Sequence, residues 1–166
     1  MNDIDTGIFD EKVNAYTHKQ LIAKAKNWLI GTKNCSIALT ELVTTNITEI
    51  PDALGFYGKG ATILLEVKVS KSDFLRDKTK SFRIYEEEGI GDYRYYYTPK
   101  GLLQIEELPE GWGLIEFNGY QSKIKKEAEY KTANKTNEVA LLVSTIRRLQ
   151  MSTCVYVVAE NTKEIE

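Results

Sequence analysis

The sequence has one histidine, two cysteines and three prolines. It has no apolar run reaching the ~20 residues that a bilayer-spanning helix needs. One histidine, with Cys35 and Cys154 far apart and no CxxC, suggests neither a zinc cluster nor a disulfide framework. Both thiols are expected to be reduced and buried in a cytosolic protein. There is no basic surplus, because the net charge is −2. Any case for nucleic acid must therefore rest on local charge, since a globally basic domain is the usual footprint. The opening residues, MNDIDTGIFDE, are acidic and unlike a signal peptide. These absences lead to the expectation of a cytoplasmic protein that does not contact a membrane.

What is present is ordinary globular material: 166 residues, 42% hydrophobic and 28% charged. That length suits one domain. It is placed at residues 17–166, behind a loose lead-in at 1–16. Thr17-His18-Lys19-Gln20 has the form of a capping box, and Leu21, Ile22, Ala25, Trp28 and Leu29 follow at helical spacing up to Gly31. Residues 35–43 read as a strand, with Cys35, Ile37, Leu39 and Glu41 on one face. A turn-rich stretch holding Pro51, Gly55, Gly58 and Gly60 surrounds a short strand at 52–56. The run at 61–69, ATILLEVKV, is the signature of a central strand covered on both sides.

Ser72 or Asp73 is expected to cap a helix at 74–85, followed by strands at 92–98 and 112–117 with a short helix at 102–108 between them. Residues 121–135 read as charged and exposed. Leu141, Leu142, Thr145, Ile146 and Leu149 mark a helix over 137–149, and 153–158 continues it or forms a last strand.

The polar interruption of the central run carries the chemistry. Glu66 and Lys68 are two apart, so on a strand both side chains leave the same face, about 6–7 Å apart along the backbone. Burying either alone is costly, so each needs the other, water in a cleft, or a bound ion. Hairpin pairing can bring Asp52 beside Glu66. Two carboxylates held close suit a hard divalent cation with oxygen ligands, Mg²⁺ or Mn²⁺. Such an ion polarises a phosphoryl oxygen and acidifies a bound water, while a neighbouring ammonium stabilises charge or orients the nucleophile.

Glu41, then Pro51-Asp52, then Glu66-Val67-Lys68, resembles the ordered E…PD…(D/E)xK pattern of the restriction-endonuclease-like nuclease superfamily. The stretch from Glu66 through Asp73-Phe74 to Asp77-Lys78 is similar to that of MmcB-like DNA-repair proteins and related phage-borne nucleases, and the likeness runs over about residues 20–117. It implies that Asp52 and Glu66 are metal ligands, with the Val67 carbonyl adding a third oxygen. Lys68 is implied to position or activate the attacking water, and Glu41 to be the auxiliary acid, contacting the metal directly or through water. The fold it implies is a single α/β domain with a central mixed sheet of about four or five strands in an αβββαβ order.

Residues 68–83 carry six Lys and Arg against two Asp, reversing the sign of the whole chain. Asp73 reads as a cap, and Ser70, Lys71, Lys78 and Arg83 are the expected contacts to a nucleic-acid backbone. Residues 121–135, with five Lys against two Glu, offer a second such contact. His18 reads as a surface residue remote from the motif. The tyrosines at 93 and 95–97, with Trp28 and Trp112, fit core packing better than base stacking. The expectation is a Mg²⁺-dependent nuclease cutting DNA in repair, recombination or phage DNA metabolism, as a homodimer or within a larger nucleic-acid-processing complex. Two rivals are a catalytically silent module of the same fold that binds DNA or protein, and a nuclease directed at RNA.

Overall fold

The structure, a computed structural model, describes residues 16–42, 49–80 and 86–149. The lead-in before Tyr16, the stretch at 153–158, Cys154 and Arg83 lie outside the described residues. Thr17 opens helix α1 (His18–Gly31) as the sequence predicts. Its hydroxyl accepts from the Gln20 amide at 3.3 Å, while Gln20 Oε1 accepts from the Thr17 amide at 2.9 Å. Two amides that a helix start leaves open are thereby satisfied. Leu21, Ile22, Ala25, Trp28 and Leu29 form the buried stripe of this helix.

Six strands lie in one sheet in chain order: β1 (Ile37–Thr40), β2 (Ala53–Phe56), β3 (Thr62–Val67), β4 (Tyr93–Pro99), β5 (Gly113–Phe117) and β6 (Ser122–Lys126). The first three pair antiparallel, β4 and β5 run parallel to β3, and β6 returns antiparallel. Every residue of β3 is buried, as its near-continuous apolar run requires. Alternation sends Ile63, Leu65, Val67, Tyr95 and Tyr97 to the α1 side. Leu64, Tyr96, Leu114 and Trp112 go to the other side, against Phe74 of α2 (Lys71–Asp77) and Leu141 of α3 (Lys135–Leu149). The fold is thus a single α/β layer arrangement around a mixed sheet, and the tyrosine run divides between its two cores. Among the described residues no helix is long and apolar enough to cross a membrane.

Four departures from the sequence reading have local causes. β1 ends at Thr40 because Glu41 takes φ 48°, a left-handed conformation that breaks strand alternation. The single face drawn through Cys35, Ile37, Leu39 and Glu41 dissolves at both ends: Glu41 leaves the strand, and Cys35, which precedes it, is buried on the other side of the sheet from Leu39, while Ile37 is exposed. The helix after β3 starts earlier, since Ser70 is its cap, accepting from the Asp73 amide at 3.2 Å, and it ends at Asp77; residues 81–85 of the expected helix lie outside the described residues. Finally, β6 adds a sixth strand, an edge with Lys123 and Lys125 turned outward.

The amino end of β3 is tied to α3 by a polar knot. Asp92 Oδ2 accepts from the Thr62 amide at 2.9 Å and from Lys135 Nζ at 2.6 Å, while Glu138 Oε1 accepts from the Gly91 amide at 2.9 Å. The carboxyl end of the same strand holds a second buried polar group, Glu66, Lys68 and Asp77.

Candidate active site

β3 and β4 are parallel, so their carboxyl ends lie side by side, and in open α/β sheets ligands bind outside such ends. Here the apolar run gives way to Glu66 and Lys68, which share the face of Tyr96. They are 2% and 3% exposed, far from a solvated edge pair. Lys68 Nζ lies 3.3 Å from Glu66 Oε2 and 3.4 Å from Asp77 Oδ1. Burial, the largest influence, pulls the ammonium's pKa down, but the charges of Glu66, Asp77 and Asp52 together hold it above the ordinary lysine value.

Asp52 stands just ahead of β2. The register pairs Ala53 with Leu65, which places Asp52 alongside the Glu66–Val67 step of β3. Its Oδ2 accepts from the Val67 amide at 2.8 Å, taking over a ladder bond where the strand pairing ends. Its Oδ1 has no hydrogen-bond partner among the described residues. Asp52, Glu66, Val67 and Lys68 thus lie at one strand end.

Glu41 does not complete the set. It is exposed and left-handed, and its backbone amide, bonded to the Pro51 carbonyl at 3.0 Å, is what ties it to this region. Among the described residues no three His, Cys, Asp or Glu side chains are grouped to hold a metal ion, so the trio Glu41, Asp52 and Glu66 is not assembled. The donor set that does fit is smaller. Mg²⁺ takes one or two carboxylates, keeps several waters and uses substrate phosphates for the rest. Asp52, with one open carboxylate oxygen, Glu66 and the Val67 carbonyl are hard oxygen donors of that kind.

His18 was missed by the sequence reading and belongs here. Its Nε2 lies 3.2 Å from the Val67 carbonyl oxygen and 3.4 Å from Asp52 Oδ2. The hydrogen bond to Asp52 raises the imidazole's pKa above its ordinary value, against the opposing effect of burial. The one hint in the sequence is that His18 opens a helix whose apolar stripe must pack on the sheet, which sets its first turn beside a strand end.

The expected backbone contacts are partly engaged within the chain. Ser70 caps α2, and Asp73, expected as the cap, instead pairs with Arg76 at 3.4 Å. Lys71 forms an ion pair with Glu107 in the 3-10 turn Ile105–Glu107. Lys78 Nζ donates to the Glu107 carbonyl at 2.5 Å and lies 4.7 Å from the Phe74 ring centroid. The two lysines therefore converge on one acidic residue, whose carboxyl is held below its usual range chiefly by the Lys71 bond.

No family model and no curated protein matches this chain. Among solved structures, a protein of unknown function from Silicibacter pomeroyi is similar, with 21% identity and a TM-score of 0.62 over 82% of this chain and 91% of that one. The likeness establishes the α/β fold with its mixed sheet and goes no further than the fold.

Proposed function

We propose that this chain is a divalent-metal-dependent nuclease that hydrolyses DNA phosphodiester bonds. The observation that carries the reading is the meeting of Asp52 with Glu66 and Lys68 at the carboxyl end of β3, where Asp52 is bonded to the Val67 amide and its charge acts on the buried Lys68 ammonium. Structural ion pairs are seldom placed so deep, because desolvating both charges costs several kcal/mol.

In this reading Asp52, Glu66 and the Val67 carbonyl would hold Mg²⁺ or Mn²⁺. When bound, such an ion polarises the phosphoryl oxygen and lowers the pKa of a water. Lys68, kept protonated by the acids around it, supplies positive charge where the phosphorane oxygens become more negative, and orients the attacking water. Glu66 and Asp77 fix its ammonium from two sides. Lys71 and Lys78 lie on the exposed side of α2, where phosphates of a flanking strand would exchange with Glu107.

The test is incubation with linear, nicked, branched and single-stranded DNA, and with RNA, with and without Mg²⁺ or Mn²⁺. Wild type is compared with Asp52→Ala and Lys68→Ala. Metal-dependent cleavage is expected to be lost in Asp52→Ala and to fall by about 10²–10³-fold in Lys68→Ala, to a residual rate that single-turnover conditions still resolve. Cleavage of RNA alone would move the substrate class, and intact substrates throughout, with DNA still bound, would favour a catalytically silent binding module.

A further inference from the structure

Asp77 is a buried acid that the proposed reaction does not employ directly. It closes α2, is 1% exposed, and reaches across to the sheet. One oxygen, Oδ1, lies 3.4 Å from Lys68 Nζ and 2.9 Å from Lys80 Nζ, and the other accepts from the Tyr96 hydroxyl at 3.0 Å. Tyr96 is itself fully buried, stacked on Trp112 at 4.6 Å and edge-on to Phe74 at 4.9 Å. Its hydroxyl therefore stands on a rigid support.

A carboxylate is costly to bury, and a helix this short gains little from a charged residue at its carboxyl end, where the dipole disfavours an anion. Packing alone would be met by an apolar side chain of similar size. Besides the pair with the half-exposed Lys80, what a carboxylate supplies at this position is a second anionic arm on the buried Lys68, in addition to Glu66. Glu66 alone, two residues away on the same strand, would leave the ammonium at the end of the buried lysine stem held by a single anionic contact.

We propose that Asp77 is the positioning residue for Lys68, with Tyr96 as its brace, so that the ammonium is fixed at the strand end independently of what binds Glu66. The inference rests on the nuclease reading. It goes beyond it in assigning a role to a residue on another element, and in making the Tyr96–Asp77–Lys68 relay part of the site. Asp77 does not touch substrate; it acts through Lys68 alone. Its effect on cleavage must then vanish when Lys68 is gone, whereas a merely structural acid would matter equally in both backgrounds.

The experiment uses the full chain, with single-turnover cleavage of DNA at saturating protein in Mg²⁺ or Mn²⁺, and DNA affinity measured separately in Ca²⁺. Wild type, Asp77→Asn, Lys68→Ala and the double variant are compared. Asp77→Asn should lose ~30- to 100-fold in rate with DNA affinity within about twofold of wild type, and the double variant should match Lys68→Ala within about threefold. If Asp77→Asn does not fold by circular dichroism, Tyr96→Phe removes only the brace and should cost ~3- to 10-fold, again with no further loss on top of Lys68→Ala. The positioning role is overturned if the tested variant cuts within twofold of wild type, or if its loss multiplies with that of Lys68→Ala. If wild type cuts nothing, the nuclease reading falls and takes this role with it. If wild type cuts and the variant does too, only the role of Asp77 falls.

Discussion

The Asp52 carboxylate receives the Val67 amide at 2.8 Å, so one side chain both ends the pairing of β2 with β3 and stands at the candidate metal position. The two duties separate by substitution. Asp52→Asn keeps an oxygen for that amide but loses the charge; Asp52→Ala strands the amide of a fully buried residue. We expect Asp52→Ala to lose about 1–3 kcal/mol in urea denaturation and Asp52→Asn under about 1 kcal/mol. Both should abolish metal-dependent cleavage. An Asn variant that cuts like wild type would show that the charge is not needed there.

Lys71 pairs with the Glu107 carboxylate and Lys78 donates to its backbone carbonyl, and in the proposed nuclease a DNA phosphate would compete for both lysines. Glu107→Gln should release Lys71 and tighten DNA binding, while Lys71→Ala with Lys78→Ala should weaken it alike for all sequences. Each phosphate deprived of its lysine lowers the slope of log affinity against log salt by about 0.9, so the double variant should bind with a slope shallower by close to two. Fluorescence anisotropy at three or more salt concentrations measures this. An unchanged slope would mean that α2 does not face the nucleic acid.

How far the sequence could be read follows from which signals are local. The run at 61–69 named the central strand, and Glu66 with Lys68 stood out because two charges interrupted it; the structure buries all of Thr62–Val67. The Thr17 capping box was legible because its two bonds close within four residues. β6 was not, since SKIKK offers a single apolar side chain, Ile124, and an edge strand needs no more. His18 reaches the Val67 carbonyl across 49 residues, and Asp77 meets Tyr96 across 19, through the docking of helices on opposite faces of the sheet. No spacing in the chain encodes those contacts. Glu41 failed for the opposite reason: strand alternation was carried one residue past the point where the backbone turns left-handed.

Gly91 marks a place where backbone and packing both exclude a side chain. Its φ is +83°, and a Cβ there would stand 2.5 Å from Leu64 Cβ on the central strand. Left-handed backbone costs an L-residue about 1–2 kcal/mol, and overpacking a core typically costs about 1–3 kcal/mol more. Gly91→Ala should thus lose roughly 2–5 kcal/mol of stability by the sum of those ranges, read as a lowered urea midpoint with an unchanged m-value. A loss under about 0.5 kcal/mol would mean that β3 and the Gly91 turn are not packed together as described.

Asp92 contributes to the acid limb of stability. Burial by itself would raise its pKa, but the Lys135 bond and the amides of Ala133 and Thr62 outweigh that and hold it below the ordinary 3.8. With the folded value below the unfolded one, the unfolded chain binds more protons in this range, so the contribution is complete above pH 3.8 and disappears as pH falls through the folded value. Asp92→Asn lacks the charge at every pH and presents an amide where the carboxylate had accepted several bonds, at a cost of about 1–3 kcal/mol at neutral pH. The partner Lys135 is half exposed, which keeps the cost below that of a fully buried pair. Urea midpoints of both proteins between pH 2.5 and 6 provide the check, since a protonated Asp92 resembles the amide and the gap should narrow on the acid side. A gap that stays constant over that range would show that Asp92 titrates alike in the folded and unfolded chain, and one that widens on the acid side would show that Asp92 is protonated in the folded protein, with the knot joining β3 to α3 held by neutral hydrogen bonds.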